Sequence, residues 1–256
     1  MTTLLIDADV ICHQLAYKNT RNVSFDGEET IEVTQDDKAK ADVESYVLEL
    51  IDDLNAKNAI LVLSDRGRNF RKELDSTYKA NRTKPKPALW HVIRGLIESG
   101  DLPWHHAHRP RLEGDDVLGI MATRRPDLYT VVSIDKDMKG VPCRLYNPGK
   151  PERGVVTVSE LDARLFHLSQ VVTGDTVDNY PGLPGRGEDW WDWIVSLAGN
   201  DLQLLWTLIC DQYVAKGHTV DRAIHQACLA YILQVGDYNE SNNEVTLWTP
   251  QRYNLR

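Results

Sequence analysis

Apolar residues fall along the first two thirds of the chain in two alternating rhythms. The short runs "TLLIDADVI", "AILVLSD" and "YTVVSID" have the length and continuity of strands buried on both faces. Between the first two, "DDKAKADVESYVLELIDDLNAKN" sets Val43, Tyr46, Val47, Leu50, Ile51 and Leu54 at helical spacing, with acids in its first turn. "ALWHVIRGLIESG" predicts a second helix with Gly100 as its C-cap, and "EGDDVLGIMATRR" a third with carboxylates at its positive end. "LPWHHAH" reads as a further strand, "CRLYNP" and "GVVTVS" as a hairpin, and the polar stretch from about Lys18 to Asp36 as a loop or hairpin. "SELDARLFHLSQVVTG" is a helix with Ser159 as N-cap and Leu161, Leu165, Leu168 and Val172 on its apolar side. The remainder is mostly helical. Strand–helix alternation predicts an α/β fold with a mostly parallel sheet.

Composition adds little to this picture and charge adds more. With 256 residues, 42% hydrophobic and 26% charged, the chain can bury a sizeable core. No apolar run reaches membrane-span length, and "MTTLLIDADVICHQ" meets acids at once without a basic leader, so neither a membrane segment nor a signal peptide is expected. Cys12, Cys143, Cys210 and Cys228 are scattered, as reduced thiols of a cytoplasmic protein are. A net charge of -9 argues against a nucleic-acid binder. Yet Arg66, Arg68, Arg71, Lys72, Lys79, Arg82, Lys84 and Lys86 are opposed locally only by Glu73 and Asp75. Such a patch steers a polyanion even when the total is negative.

The candidate chemistry is acidic. Three apolar strands run into aspartate, at Asp7, Asp65 and Asp135, and sites in open α/β sheets form beyond the carboxyl ends of strands. Asp137 points with Asp135 if the chain stays extended there, and Asp9 with Asp7. Glu113, Asp115 and Asp116 open a helix, and Asp175 and Asp178 share a face if their segment is one helical turn. The expectation is that the nine other than Asp9 gather at one sheet edge, where they cannot stay ionised together without protons or cations. Two hard divalent ions, Mg²⁺ or Mn²⁺ before zinc, suit an all-oxygen donor set and serve in-line attack on a phosphodiester. "WHHAH" lacks zinc-finger partners and reads as strand histidines. "GDTVDNYPGLPGRG" sets the last acid pair against glycine turns that a large ligand can approach closely.

In order, "LIDAD", "SDRGRNFRKELDSTYKANR", "EGDD", "SIDKD" and "GDTVDNYPGLPGRG" resemble the motifs of the metal-dependent 5′-nucleases. These are the flap endonucleases, their phage counterparts and the 5′-nuclease domain of bacterial DNA polymerase I. The resemblance implies one 5′-nuclease domain over 1–256, with a PIN-like central mostly parallel sheet flanked by helices. It implies an α/β core over 1–160 that includes an arch at about 66–100. It also implies a helical region over 160–256, with a helix–three-turn–helix DNA-binding region at about 160–200. Asp7, Asp65, Glu113, Asp115, Asp116 and Asp135 would build a first metal site, and Asp137, Asp175 and Asp178 a second. Lys79 and Arg82 would face the scissile phosphate, with Arg71 as another phosphate-facing group. Lys84, Lys86, Gly182, Gly185, Arg186 and Gly187 would bind DNA, with K⁺ held near the turns.

The implied activity is two-metal-ion hydrolysis of DNA, or of RNA–DNA hybrids, at 5′ ends, flaps and junctions. It implies a cytoplasmic bacterial or phage-encoded enzyme, with a replication or single-strand-binding protein as partner. Three departures stand out. Ala8 and Asp9 replace glycine and a small residue, Gly114 replaces alanine, and Glu188 and Asp189 stand where a lysine is usual. The Trp190, Trp191 and Trp193 group is expected in the core. Two alternatives stay open: a PIN-like ribonuclease, which would lack the glycine turns, and a non-catalytic DNA-junction binder, which would have lost metal acids.

Overall fold

The computed structural model describes residues 2–25, 29–34 and 36–256. Its elements run β1 (Thr3–Asp7), α1 (Ala8–Asn19), β2 (Thr20–Phe25), β3 (Glu29–Thr34), α2 (Asp36–Asp53), β4 (Asn58–Val62), α3 (Phe70–Leu74), α4 (Ala88–Ser99), β5 (His105–Ala107), α5 (Gly114–Arg124), β6 (Tyr129–Val132), β7 (Arg144–Tyr146), β8 (Val155–Thr157), α6 (Glu160–Thr173), α7 (Glu188–Ala198), α8 (Leu202–Ala215), α9 (Val220–Ala230), β9 (Tyr238–Asn239) and β10 (Glu244–Val245). The polar stretch after α1 forms the β2–β3 antiparallel pair, whose connecting residues 26–28 lie outside the described residues. Among the described residues no helix is long and apolar enough to cross a membrane.

The main sheet has the order β5-β4-β1-β6-β7-β8, parallel except for β8, which returns antiparallel on β7. β1 is central, and its side chains alternate between two cores. Leu5 joins Val62 and Val131 with Val117 and Leu118 of α5, Val171 of α6 and Trp206 of α8. Leu4 and Ile6 join Leu61 and Val132 with Ile11, Val43, Val47 and Ile93 from α1, α2 and α4. From β1 the chain builds outward through β4 and β5, then crosses back to add β6 and β7 on the other side. That reversal beside β1 is a topological switch point, so the crevice opens at the carboxyl ends of β1, β4 and β6.

α4 buries Leu89, Trp90, Ile93 and Ile97 in the second core and ends at Gly100 with φ 81°. The expected arch at about 66–100 is therefore core over its last third, and the exposed part is the irregular chain after α3. That chain is stitched to the turn following α6: Lys79 N–H donates to the Asp178 carbonyl at 2.8 Å, Asn81 Nδ2 to that of Thr176 at 2.9 Å, and Asn179 Nδ2 to that of Thr77 at 2.7 Å. The first of these bonds holds Lys79 in the left-handed region at φ 54°, which is costly for a residue with a Cβ.

Candidate active site

Asp7 ends β1 and caps α1, accepting from Val10 N–H at 3.2 Å. The capped helix begins at Ala8, so Asp9 does not continue the strand face as expected. It accepts instead from Ser64 N–H at 2.8 Å and pairs with buried Arg94 at 3.2 Å. Gly114 makes room for it, because a Cβ there would stand 3.3 Å from Asp9 Oδ2. Asp7 accepts from Ser133 Oγ at 2.9 Å and lies close enough to Asp9, Asp135 and Asp115 for their charges to act on one another.

Burial pushes the Asp7 carboxyl up to about 7, with repulsion from Asp9 and Asp135 adding to it and the Ser133 bond opposing it. Asp115 is raised well above the usual carboxylate range by burial, then by Asp7 and Asp135. The chain turns into a short 3-10 helix at Lys136, so Asp135 and Asp137 are not two positions of one strand. Asp135 accepts from Asp137 N–H at 2.8 Å, and Gln170 donates to Asp137 at 2.7 Å. Burial and Asp135 lift the Asp137 carboxyl to about 7.

Asp175 and Asp178 sit in a tight turn rather than a helical one, with Asp175 Oδ1 accepting from Val177 and Asp178 N–H. Lys136 Nζ pairs with Asp175 Oδ2 at 2.7 Å. Asp178 meets Arg82 at 2.6 Å, Lys79 at 3.3 Å and the Tyr78 hydroxyl at 2.8 Å. Glu113 accepts from Lys79 and lies 3.0 Å from both Arg71 Nη1 and the Tyr78 hydroxyl. Burial raises the Glu113 carboxyl, but Lys79 and Arg71 outweigh it and hold it at about 2. A cavity of about 20 Å³ is lined by Tyr78, Glu113, Asp115, Asp137 and Asp178 among others, bringing acids from three distant segments onto one small space.

Two of the expected acids are committed elsewhere. Asp65 accepts from Arg111 N–H at 2.8 Å and Gly67 N–H at 3.2 Å, and so shapes the loops beyond β4. Asp116 is fully buried and takes both Arg71 Nη atoms at 2.7 and 2.8 Å, with Leu233 N–H at 3.1 Å. Arg71 is itself 3% exposed and also donates to the carbonyls of Leu229 and Tyr231. Its guanidinium is thus spent on protein acceptors, and Arg71 lines the small cavity from behind Glu113 and Asp116. Among the described residues no group of three or more His, Cys, Asp or Glu side chains forms a preformed metal cage. The chain's own Lys79, Arg82, Lys136 and Arg71 stand on many of the oxygens instead.

Residues 2–146 match the family described as 5′-3′ exonuclease, N-terminal resolvase-like domain. The exodeoxyribonuclease of Enterobacteria phage T3 is 30% identical over 224 residues, 72% of this chain and 70% of that protein. The chain belongs to the 5′-3′ exonuclease family. The exonuclease of Escherichia phage T7 is 29% identical over 71% of each chain. In fold, T5 5′-exonuclease with bound zinc superposes with a TM-score of 0.67 at 15% identity, over 90% of this chain and 89% of that one. T5 flap endonuclease in a pseudo-enzyme-product complex with DNA and metal ions gives 0.64 at 14% identity, over 91% and 89%.

The glycines expected to form a DNA-binding turn are divided in their use. Gly182 is buried against Gly174, where a Cβ would meet backbone at 2.4 Å, and its N–H donates to Gln226 Oε1 at 2.8 Å. The DNA-binding role expected for Gly182 is therefore corrected to backbone packing. Gly185, Arg186 and Gly187 are exposed before α7, with the Arg186 guanidinium 5.8 Å over Trp190. Lys216, at the end of α8, brings Nζ to 3.7 Å from where a Gly185 side chain would begin, which places a cation beside this turn despite Glu188 and Asp189. Lys84 is exposed, whereas Lys86 lies over the Trp90 ring at 3.4 Å. Trp190 and Trp191 pack on the core as expected, but Trp193 is 53% exposed.

Sequence reasoning missed the parts that act through others. Tyr78, Ser133, Lys136 and Gln170 all lie inside or beside the quoted motifs, and the only signal for them was adjacency to the acids. Nothing local could have shown that Arg71 closes on carbonyls of the C-terminal region.

Proposed function

We propose that this chain is a structure-specific 5′-3′ exonuclease and flap endonuclease that hydrolyses DNA phosphodiesters at 5′ ends and single-strand/duplex junctions with divalent ions, Mg²⁺ or Mn²⁺. One observation carries the reading. Carboxylates from the end of β1, the start of α5, residues 135–137 and residues 175–178 converge at one sheet edge, and Lys79 and Arg82 reach into them. The donor set is all oxygen, and burial with repulsion from neighbouring carboxylates raises Asp7, Asp115 and Asp137 above the usual carboxylate range, a strain that a hard cation relieves. Asp7, Asp115 and Asp135 would hold one ion and Asp137, Asp175 and Asp178 another, largely through waters. Ions bound there supply Lewis acidity at the phosphoryl oxygens.

The chain's own residues do the rest. Lys79 and Arg82 exchange their contacts with Asp178 for the phosphate and stabilise charge that grows on it. Glu113 keeps Lys79 charged and aimed, and the Tyr78 hydroxyl ties Glu113 to Asp178. Gly185, Arg186, Gly187 and Lys84 meet duplex phosphates, positioning without reading sequence.

The test is cleavage of end-labelled flap, nick and gap substrates with and without Mg²⁺, by wild type and by Asp135→Asn and Asp137→Asn. Both variants should lose nearly all cleavage. Cleavage at the wild-type rate by either would refute the mechanism, and binding without cutting under any divalent ion would make the chain a junction binder.

A further inference from the structure

The carboxylates divide into two unequal groups. Among the described residues no Lys or Arg nitrogen lies within ion-pair distance of Asp7, Asp115 or Asp135, whereas Asp175 and Asp178 carry Lys136, Lys79 and Arg82. Asp175 is the more tightly occupied of the pair. Its side chain is 4% exposed; Oδ1 is taken by the Val177 N–H at 2.7 Å and the Asp178 N–H at 3.1 Å, and Oδ2 by Lys136 Nζ at 2.7 Å. The two amides belong to the turn and stay with it. Lys136 is different, because its side chain is 60% exposed and reaches Asp175 from the first position of the 3-10 helix, where solvent leaves it free to swing away.

We propose that Lys136 is a built-in counter-cation for Asp175 that a divalent ion must displace, so that the two halves of the site load unequally. This rests on the divalent-ion reading above. An ammonium 2.7 Å from the carboxylate holds the place of a cation and repels any other that approaches. Without an ion the pair keeps the turn closed and its acid neutralised. With one, Lys136 moves into solvent between Asp135 and Asp137, where its charge still lowers affinity for a second ion. The Asp7, Asp115 and Asp135 group has no such competitor and loads first.

The experiment is titration calorimetry with Mn²⁺ on full-length wild type, Lys136→Ala, Lys136→Arg and Lys139→Ala. Lys139 is the control for loss of one positive charge, since it lies over the Phe166 ring at 5.9 Å and pairs with no acid among the described residues. Lys136→Ala should tighten the weaker binding step about three- to tenfold, the range expected for an exposed ion pair plus one nearby charge, and change the tighter step by clearly less. Lys136→Arg should restore wild-type affinity, and Lys139→Ala should change it by less than about twofold. An unchanged or weaker second step in Lys136→Ala overturns the proposal, as does equal tightening by Lys139→Ala. Mn²⁺ uptake by Lys136→Ala but not by wild type supports it. Silence in both proteins removes the divalent-ion reading together with this one, and is told apart from the first failure by the absence of any wild-type signal.

Discussion

Replacing Arg71 by methionine separates a structural arginine from a phosphate-binding one. The guanidinium makes its contacts within the protein, to both oxygens of Asp116, to Glu113 and to the carbonyls of Leu229 and Tyr231. Methionine fills the volume but leaves a fully buried carboxylate without its counter-charge. Breaking one side of such a pair costs about 3–5 kcal/mol, and in a protein this size that lowers the melting temperature by roughly 6–10 °C. Removing both partners, as Arg71→Met with Asp116→Leu, takes away the stranded charge and should recover most of the loss. Urea unfolding of the three proteins, in buffer with chelator, gives the numbers. A loss below about 1 kcal/mol for Arg71→Met, with DNA affinity reduced instead, would refute the buried-clamp account and restore the phosphate-facing role.

Three further outcomes follow from the geometry. Lys79→Ala should lower kcat far more than it raises KM, because its charge is used as the phosphate develops charge; a raised KM with unchanged kcat would contradict that. Asp7→Asn keeps the α1 cap but removes a carboxyl whose folded value, about 7, lies above its unfolded one. In chelated wild type that group favours folding below about pH 4, and its contribution is lost as pH rises toward 7, so Asp7→Asn should be more stable than wild type at pH 8 and lose that advantage near pH 4. Denaturant curves at the two pH values would show it, and an advantage that grows on acidification would rule it out. Gly114→Ala should cost about 1 kcal/mol in wild type and less in an Asp9→Ser background, since the new methyl group presses on the Asp9 carboxylate; additive costs in a double-mutant cycle would show that the two departures are unrelated.

What was legible in the sequence is what local pattern encodes. The runs ending at Asp7 and Asp135 gave both the strands and the edge they point to, and Ser159 and Gly100 marked their helix ends as read. What stayed hidden depends on a dihedral or on a distant partner. Asp9 turns to Ser64 and Arg94 because Asp7 caps a helix that already begins at Ala8. Asp116 and Arg71 look like site residues by position, and only the fold shows that they pair across 45 residues while carbonyls 158 and 160 residues further on close over the guanidinium. Gly182 reads as an open phosphate cradle until Gly174 and Gln226 close on it.

The clamp at Arg71 also governs how this nuclease can be divided. The family match stops at residue 146, yet the arginine that braces Asp116 and Glu113 is held by carbonyls at 229 and 231. A fragment cut at the boundary of the match would keep most of the acids and lose the brace beneath them. Grafting that fragment into another scaffold would therefore transfer the ligands without their alignment, and a working transplant needs the last helix of the chain as well as the first strand.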